Sequence, residues 1–304
     1  MLLPADNPEI KAVARTPKAR ALGAELRQAR EEKGLLLREV AAAIKRDIGV
    51  LSRWETGDRT PKPEQVAQIL THLGVGGDRY EEIMTLAYGT GESQWVATTL
   101  PEQRQQMAAF VHWEQNATRI VEVAPLLVPG LLQTSEYTRA IMTAAGIETG
   151  EIASRVATRI GRREIVTRKK KPAELVVLLG ESALRQDIGG TETTIGQLAH
   201  LLEMAARPNI ELRIVPDGSD WHPGLDGAFA IIESSVATLV RKGRAADSDS
   251  IAFVSLLRSV LMLHEDEDVH AYKRAVDRIY PVSLPPEASA RFIKDLLKRM
   301  EKDT

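Results

Sequence analysis

Between Arg20 and Gly34 the chain runs RALGAELRQAREEKG, with Leu22 and Leu26 four apart and polar residues between them. That spacing is helical, and Gly34 follows the last charged turn, where glycine commonly closes a helix. LLREVAAAIK gives a second short helix over 37–44, with Val40, Ala41 and Ile44 on its inner side. Asp47 then precedes IGVLSRWETG as an N-cap, which predicts a third helix over 47–56 ended by Gly57. Pro61 and Pro63 allow a fourth to begin, carrying Val66, Ile69, Leu70 and Leu73, and a fifth follows over 78–88. Five short helices joined by tight turns predict an all-α unit over 20–88. Residues 1–19 hold Pro4, Pro8 and Pro17 without periodicity and are expected to form a mobile arm.

Residues 89–104, which open GTGESQWVATTLP, read as a linker. Helical patterns resume over 102–118, 135–145 and 150–168, and only then do strand signals begin. ELVVLLG (174–180) and IELRIVP (210–216) are β-rich runs on either side of helical stretches at ESALRQ and 191–206, so the two strands are expected to be parallel. GAFAIIES (227–234) and ATLVRKG (237–243) read as further strands. IAFVSLLRSVLMLH (251–264) fits one buried helix or two short strands around Arg258 and Ser259, and the reading favours strands. Helices near 267–279 and 286–301 close the chain. The fold class expected for 105–301 is α+β, a small mixed sheet with flanking helices.

With 304 residues, 43% of them apolar, the chain can build two packed cores. It has no cysteine, which excludes disulfides and thiolate metal sites and suits a reducing cytoplasm. Apolar runs such as LVVLLG from Leu175 are far too short to span a bilayer, so a soluble intracellular protein without membrane contact is expected. Charge is unevenly spread. Residues 1–62 carry 13 Lys/Arg against 9 Asp/Glu, whereas the remainder carries 27 against 33. A basic front segment suits a polyanionic partner.

A helix, a tight turn and a second helix form the arrangement whose second member can enter the major groove of DNA, because that groove admits one α-helix. Here the pair is 37–44 and 47–56. Leu51 and Trp54 are three apart on the inner side of the second helix. Arg46, Gly49, Val50 and Arg53 follow i, i+3, i+4, i+7 on the outer side. Two arginines there suit phosphates or guanine edges, and Gly49 and Val50 permit close approach to a thymine methyl. By spacing alone, the same residues describe an amphipathic helix with a solvated arginine face equally well.

The strings LRQAREEKGL, EVAAAI and LSRWETGDRTP, in that order across about 20–75, resemble the Xre-type helix-turn-helix regulators. The resemblance implies a lambda-repressor-like domain that binds a double-stranded DNA operator, with a homodimer reading two half-sites. It places Leu51 and Trp54 in the core, and Ser52 and Arg53 as a polar pair near the DNA backbone. Gly57 closes the recognition helix and Pro61 starts the next element. Lys45, Arg46, Asp47, Ile48, Gly49, Val50, Ser52 and Arg53 are thereby expected at the DNA. Three positions depart from the pattern: Leu36 where members usually begin the second helix with Ser or Thr, Leu37 where many carry Gln, and Lys45 where the turn usually has Gly. Ile48 sits where a polar base-contacting residue is common, and is either buried or set to read a methyl group.

Farther on, FVHWEQNATRI, VPGLLQTSEYTRAIM, LLGESALRQDIGG and the string from IGQLAHLLEMAARPNIELRIVP to HPGLDGAFAIIES look like the C-terminal domain of a set of actinobacterial Xre-type regulators, the WhiJ-like developmental regulators among them. The likeness covers about 105–300. That domain is called one of unknown function, and its members are also labelled antitoxin-like. The resemblance implies a regulator paired with a small protein encoded nearby.

Catalytic patterns are not met there. Ser182 in GESAL follows a strand and precedes a helix, but Leu184 stands where a nucleophile elbow needs glycine. GLDGAF precedes a strand, the wrong context for a dinucleotide site, and no phosphate loop or H-E-x-x-H occurs. His264 before Glu265 to Asp268 reads as a solvated turn or helix start rather than a metal site. No enzyme activity, cofactor or metal is expected. Arg155, Arg159, Arg162 and Arg163 share helical spacing and precede RKKK, and this stripe faces a partner, flanking DNA or solvent. The resemblance places paired arginines near Arg162 and Arg163, which favours a role inside the domain. Trp113, Glu114, Gln133 and Tyr137 form either a pocket or a structural brace, and His222 in DWHPG either lines a pocket or packs a loop.

The expected function is a sequence-specific DNA-binding transcriptional regulator whose C-terminal domain binds a small protein partner or effector. The alternative is an antitoxin-like protein that sequesters a small partner protein and autoregulates through its DNA-binding domain.

Overall fold

The structure, a computed structural model, describes residues 16–88, 94–96, 100–234, 249–255 and 260–302. It opens with α1 (Pro17–Glu32), α2 (Leu37–Ala43), α3 (Ile48–Glu55), α4 (Pro63–His72) and α5 (Gly77–Ala87). There follow β1 (Gln94–Val96), α6 (Leu100–Gln115), β2 (Ala117–Ala124), α7 (Ser135–Ala144), α8 (Thr149–Arg162) and α9 (Glu164–Thr167). Then come β3 (Glu174–Gly180), α10 (Glu181–Arg185), α11 (Thr191–Ala205), β4 (Ile210–Val215), β5 (Phe229–Ser234), β6 (Asp249–Ser255) and β7 (Val260–Leu263). The chain closes with α12 (Asp266–Ile279) and α13 (Pro286–Lys302). The residues divide into two compact units. One ends at Ala109 and includes the stretch ending at His264. The other begins at Phe110 and includes everything from Glu265.

In the first unit, Leu22, Leu26, Val40, Ile44, Leu51, Trp54, Val66, Ile69 and Leu70 are buried together, which is the set of inner positions that the helical spacing selects. The first helix begins earlier than expected. Thr16 Oγ1 accepts from Ala19 N–H at 2.9 Å and Pro17 takes the first helical position, so residues 17–19 are helix rather than arm. The rest of the expected arm, 1–15, lies outside the described residues. Gly34 and Gly57 close α1 and α3 at φ of +67° and +73°. Gly57 also passes close to α1, since a Cβ there would lie 2.8 Å from Arg20 Cα. The stretch expected as a linker contains β1, paired antiparallel with β7, and the start of α6.

The second unit holds a mixed sheet in the order β6-β5-β2-β3-β4. β2, β3 and β4 are mutually parallel, and β5 runs antiparallel to both β2 and β6. β3 and β4 were expected, and parallel. β2 was not. The helix expected over 102–118 stops at Gln115, and ATRIVEVA forms the central strand. Its signal is short: Ile120, Val121 and Val123 are β-branched, and the turn that separates them from α6 is Asn116 alone. The alternation of β2 sends Val121 and Val123 into one core with Val176, Leu178, Phe229, Ile231, Val269 and Val276. The helix expected over 150–168 is likewise two, broken at Arg163. The run 251–264 is two strands, as favoured, while the strand expected at 237–243 lies outside the described residues. β4 is an edge strand whose backbone is covered. Ile214 N–H donates to Ser289 Oγ at 2.9 Å, and Leu284 N–H donates to Ile214 C=O at 2.7 Å. Among the described residues, no helix is long and apolar enough to cross a membrane.

Candidate nucleic-acid interface

The turn between α2 and α3 shows how the chain manages without the usual glycine. Lys45 adopts φ +54°. Its N–H bonds Ala42 C=O at 3.1 Å and Arg46 N–H bonds Ala41 C=O at 2.9 Å, which is the paired closure of a Schellman motif. A side chain in that left-handed region costs about 1–2 kcal/mol, so the turn keeps its geometry with a cation at its tip. Asp47 then caps α3, its Oδ1 accepting from Gly49 N–H at 2.8 Å. α2 begins differently. Leu36 offers no side-chain acceptor, and the Glu39 carboxylate takes up Leu36 N–H at 2.7 Å, half of a capping box.

With its start fixed, α3 divides as its spacing requires. Leu51 and Trp54 are 0% and 3% exposed against α1 and α2. Lys45, Arg46, Asp47 and Arg53 are exposed, and Gly49, Val50 and Ser52 are half-buried. Ile48 is 49% exposed at the first turn, so it is an outward residue and not a core one. A Cβ on Gly49 would lie 3.6 Å from Arg53 Nη1, which places the guanidinium across the glycine on the outer side. The eight positions therefore bring together a basic surface with one apolar residue projecting from it. Arg59, which sequence reasoning left without a role, is exposed just beyond, its N–H bonded to Arg53 C=O at 3.0 Å.

A second feature missed from sequence holds this surface in place. Arg30 of α1 forms a two-pronged bond with Glu55 at the end of α3, at 2.7 and 2.8 Å, and donates to Leu35 C=O at 2.9 Å. Both side chains are nearly buried, and the carboxylate, with burial opposing, raises the guanidinium pKa. The signal was present in helical spacing: Arg30 lies four residues after Leu26, and Glu55 follows Trp54.

The candidate residues of the second unit behave differently. Arg162 binds the Glu114 carboxylate at 2.6 and 2.8 Å, with side-chain exposures of 14% and 3%. Burial works against the Arg162 charge, but Glu114 more than offsets it, so the guanidinium pKa is raised. The same guanidinium lies 5.2 Å from the Phe110 ring. Gln133 is buried. It donates to Val128 C=O at 2.8 Å and accepts from Thr138 Oγ1 and Arg159 Nη1, both at 3.1 Å. Arg163 donates to the carbonyls of Leu131 and Gln133. Trp113 and Tyr137 are each 2% exposed. Of the stripe, only Arg155 points outward, to Glu151 at 2.7 Å. Glu114, Gln133, Arg159, Arg162 and Arg163 bond one another and backbone carbonyls. Gln197, which drew no attention in the sequence, closes the network from α11, donating to Leu132 C=O at 2.7 Å and accepting from Thr134 N–H at 2.8 Å.

Glu122 was also missed. It stands on β2 between Val177 of β3 and Ala230 of β5. Burial pushes its carboxyl up to about 7, the Glu114 charge adds to this, and Arg162 and Arg159 oppose it. His222 lies apart from all of these, buried in the loop before β5. Among the described residues no group of His, Asp and Glu is arranged to hold a metal ion.

Residues 21–83 match the family model of a helix-turn-helix domain. Residues 107–295 match that of a domain of unknown function, DUF5753. No curated protein matches the chain. The second match spans more than half of the residues, so the chain belongs to the DUF5753 family and carries a helix-turn-helix domain in front of that domain.

Proposed function

We propose that this chain is a sequence-specific transcriptional regulator, of the Xre type and without enzyme activity, that binds operator DNA as a homodimer in the cytoplasm. α3 lies in the major groove, Arg46 and Arg53 meet phosphates or guanine edges, and Ile48 contacts a thymine methyl. Lys45 at the turn meets the DNA backbone. The observation that carries this reading is the outer side of α3: a capped helix with exposed Ile48 and Arg53 around a half-buried Gly49, and exposed Arg46 in the turn just before it. A solvated surface helix gains nothing from an exposed isoleucine beside a glycine, whereas a helix entering a groove does. Dimerisation supplies the second half-site, because one short helix reads too few bases for specificity.

The test is selection of duplexes from a random pool by the full chain. A two-fold-symmetric site with half-sites about one helical turn apart is expected. Enrichment of no sequence, or of a site without symmetry, contradicts the reading.

The second unit is proposed to bind a small protein partner or an effector, and the WhiJ-like, actinobacterial and antitoxin-like assignments belong to this same proposal. They rest on the strings from FVHWEQNATRI to GAFAIIES. Leu126 and Leu127, 60% and 47% exposed just ahead of VPGLLQTSEY, favour a protein partner. Affinity capture with the full chain tests it: a stoichiometric small protein supports sequestration, and its absence contradicts it.

A further inference from the structure

The connection from β4 to β5 has to cross the sheet. β4 lies at one edge, beyond β3, and β5 lies on the far side of β2. Residues 216–228 therefore pass over the carboxyl ends of the parallel strands, the place where ligands bind in open α/β sheets. A cavity of about 120 Å3 lies beneath them. Its floor is apolar, made by Val123, Leu178 and Val215 at the ends of β2, β3 and β4, with Ile279 of α12. Gly180 lets the strands end this close together, since a Cβ there would collide with the Pro125 carbonyl.

The polar groups of the cavity are few and convergent. Ser182 Oγ donates to the Asp217 carboxylate, 2.9 and 3.0 Å from its two oxygens. His222 is 5% exposed, lines the same cavity, and has no hydrogen-bond partner at Nδ1. Burial lowers its pKa, so the ring is neutral. The space in front of Nδ1 is kept open by Gly224, where a Cβ would lie 3.0 Å from that nitrogen and 3.3 Å from Ile279 Cδ1. A buried imidazole nitrogen without a partner costs about 1–3 kcal/mol, which a bound group would recover. The serine is not arranged as a nucleophile, because its hydroxyl is committed to a carboxylate rather than to an imidazole base. Asp217 is exposed at the mouth and supplies negative charge, while Leu126 and Leu225 give the mouth an apolar rim.

We propose that this cavity binds a small molecule carrying a primary amine on a compact apolar body, with the ammonium facing Asp217 and donating to His222 Nδ1, and the apolar body on the strand ends beneath. Its use as an effector site rests on the reading of this unit as a sensor; binding itself does not. The test is a titration of the full chain with isoamylamine, isoamyl alcohol and isovalerate, followed by saturation-transfer NMR, with operator affinity of the ligand-free chain measured alongside. Isoamylamine is expected to bind saturably, the alcohol more weakly and isovalerate not at all. Asp217→Asn, at an exposed position, should weaken the amine about tenfold and leave the alcohol unchanged. Gly224→Val should abolish both by filling the space before Nδ1. No saturable binding of the amine, preferred binding of isovalerate, or unchanged amine affinity in Asp217→Asn overturns the proposal, and the last holds even if Gly224→Val fails to fold. Loss of operator binding with amine binding intact would instead count only against the regulator reading.

Discussion

Two helices of this chain carry arginines at helical spacing, and they use them in opposite ways. Arg53 on α3 and Arg46 in the turn just before it face outward, and among the described residues neither is held by a carboxylate. On α8, Arg159 and Arg162 turn inward to Gln133 and Glu114, and only Arg155 remains on the surface. The difference lies in what faces each helix. The inner side of α3 is apolar, Leu51 and Trp54, so its cations have only the outer side left. α8 meets buried polar partners from α6 and from the segment before α7, and these draw its arginines in. An arginine stripe is thus a statement about the other side of the helix as much as about a ligand.

The largest expected effect follows from breaking the inward case. Glu114→Ala leaves Arg162 charged and nearly buried without its partner, and should destabilise the chain by about 3–5 kcal/mol in urea denaturation. Arg155→Ala, removing an exposed pair on the same helix, should change stability by less than about 0.5 kcal/mol. Equal effects would mean that α8 does not discriminate its two sides.

Glu122 sharpens the comparison through pH. Its folded pKa is raised from 4.5 to about 7. The folded state keeps a proton that the unfolded chain releases, so this stabilisation is complete below about pH 4.5 and is lost as pH rises toward 7. Glu122→Gln should therefore be more stable than the parent by about 3 kcal/mol above pH 7, with the difference vanishing near pH 4.5. A constant difference across that range would remove the carboxyl from this role.

A smaller effect tests the outward case. Lys45→Gly relieves the left-handed residue and should stabilise the chain by about 0.5–1 kcal/mol in thermal unfolding. The same change removes a cation from the turn proposed to face DNA, so the salt slope of operator binding should fall by about one. Stabilisation without any change in slope would place Lys45 off the DNA.

The sequence made the first unit legible nearly residue by residue, because short amphipathic helices with caps and glycine stops write their boundaries locally. Asp47, Gly57 and Pro63 each act where the pattern put them. The early start at Thr16 was hidden by prolines, which mark a loop and a helix start alike. The second unit was legible only in part. β3 is buried on both faces and reads as a continuous apolar run, and β4 alternates apolar with half-buried polar residues, whereas β2 carries Thr118, Arg119 and Glu122 and follows α6 after a single residue. The pairings that fix its network, Glu114 with Arg162, Gln133 with Arg159, and Gln197 with the backbone of Leu132 and Thr134, link residues far apart in sequence, and no local spacing reports them. The cavity at the strand ends needs the whole strand order before Ser182, Asp217 and His222 are seen to share it.

The central claim is that the outer side of α3 meets DNA and the arginines of α8 do not. It is tested most directly by fluorescence-anisotropy titration of one selected operator duplex, at several salt concentrations, with the full chain, Arg53→Ala and Arg155→Ala. Arg53→Ala should weaken binding about tenfold and lower the salt slope by about one, while Arg155→Ala follows the parent. Parent-like binding by Arg53→Ala, or an equal loss in Arg155→Ala, would contradict the account.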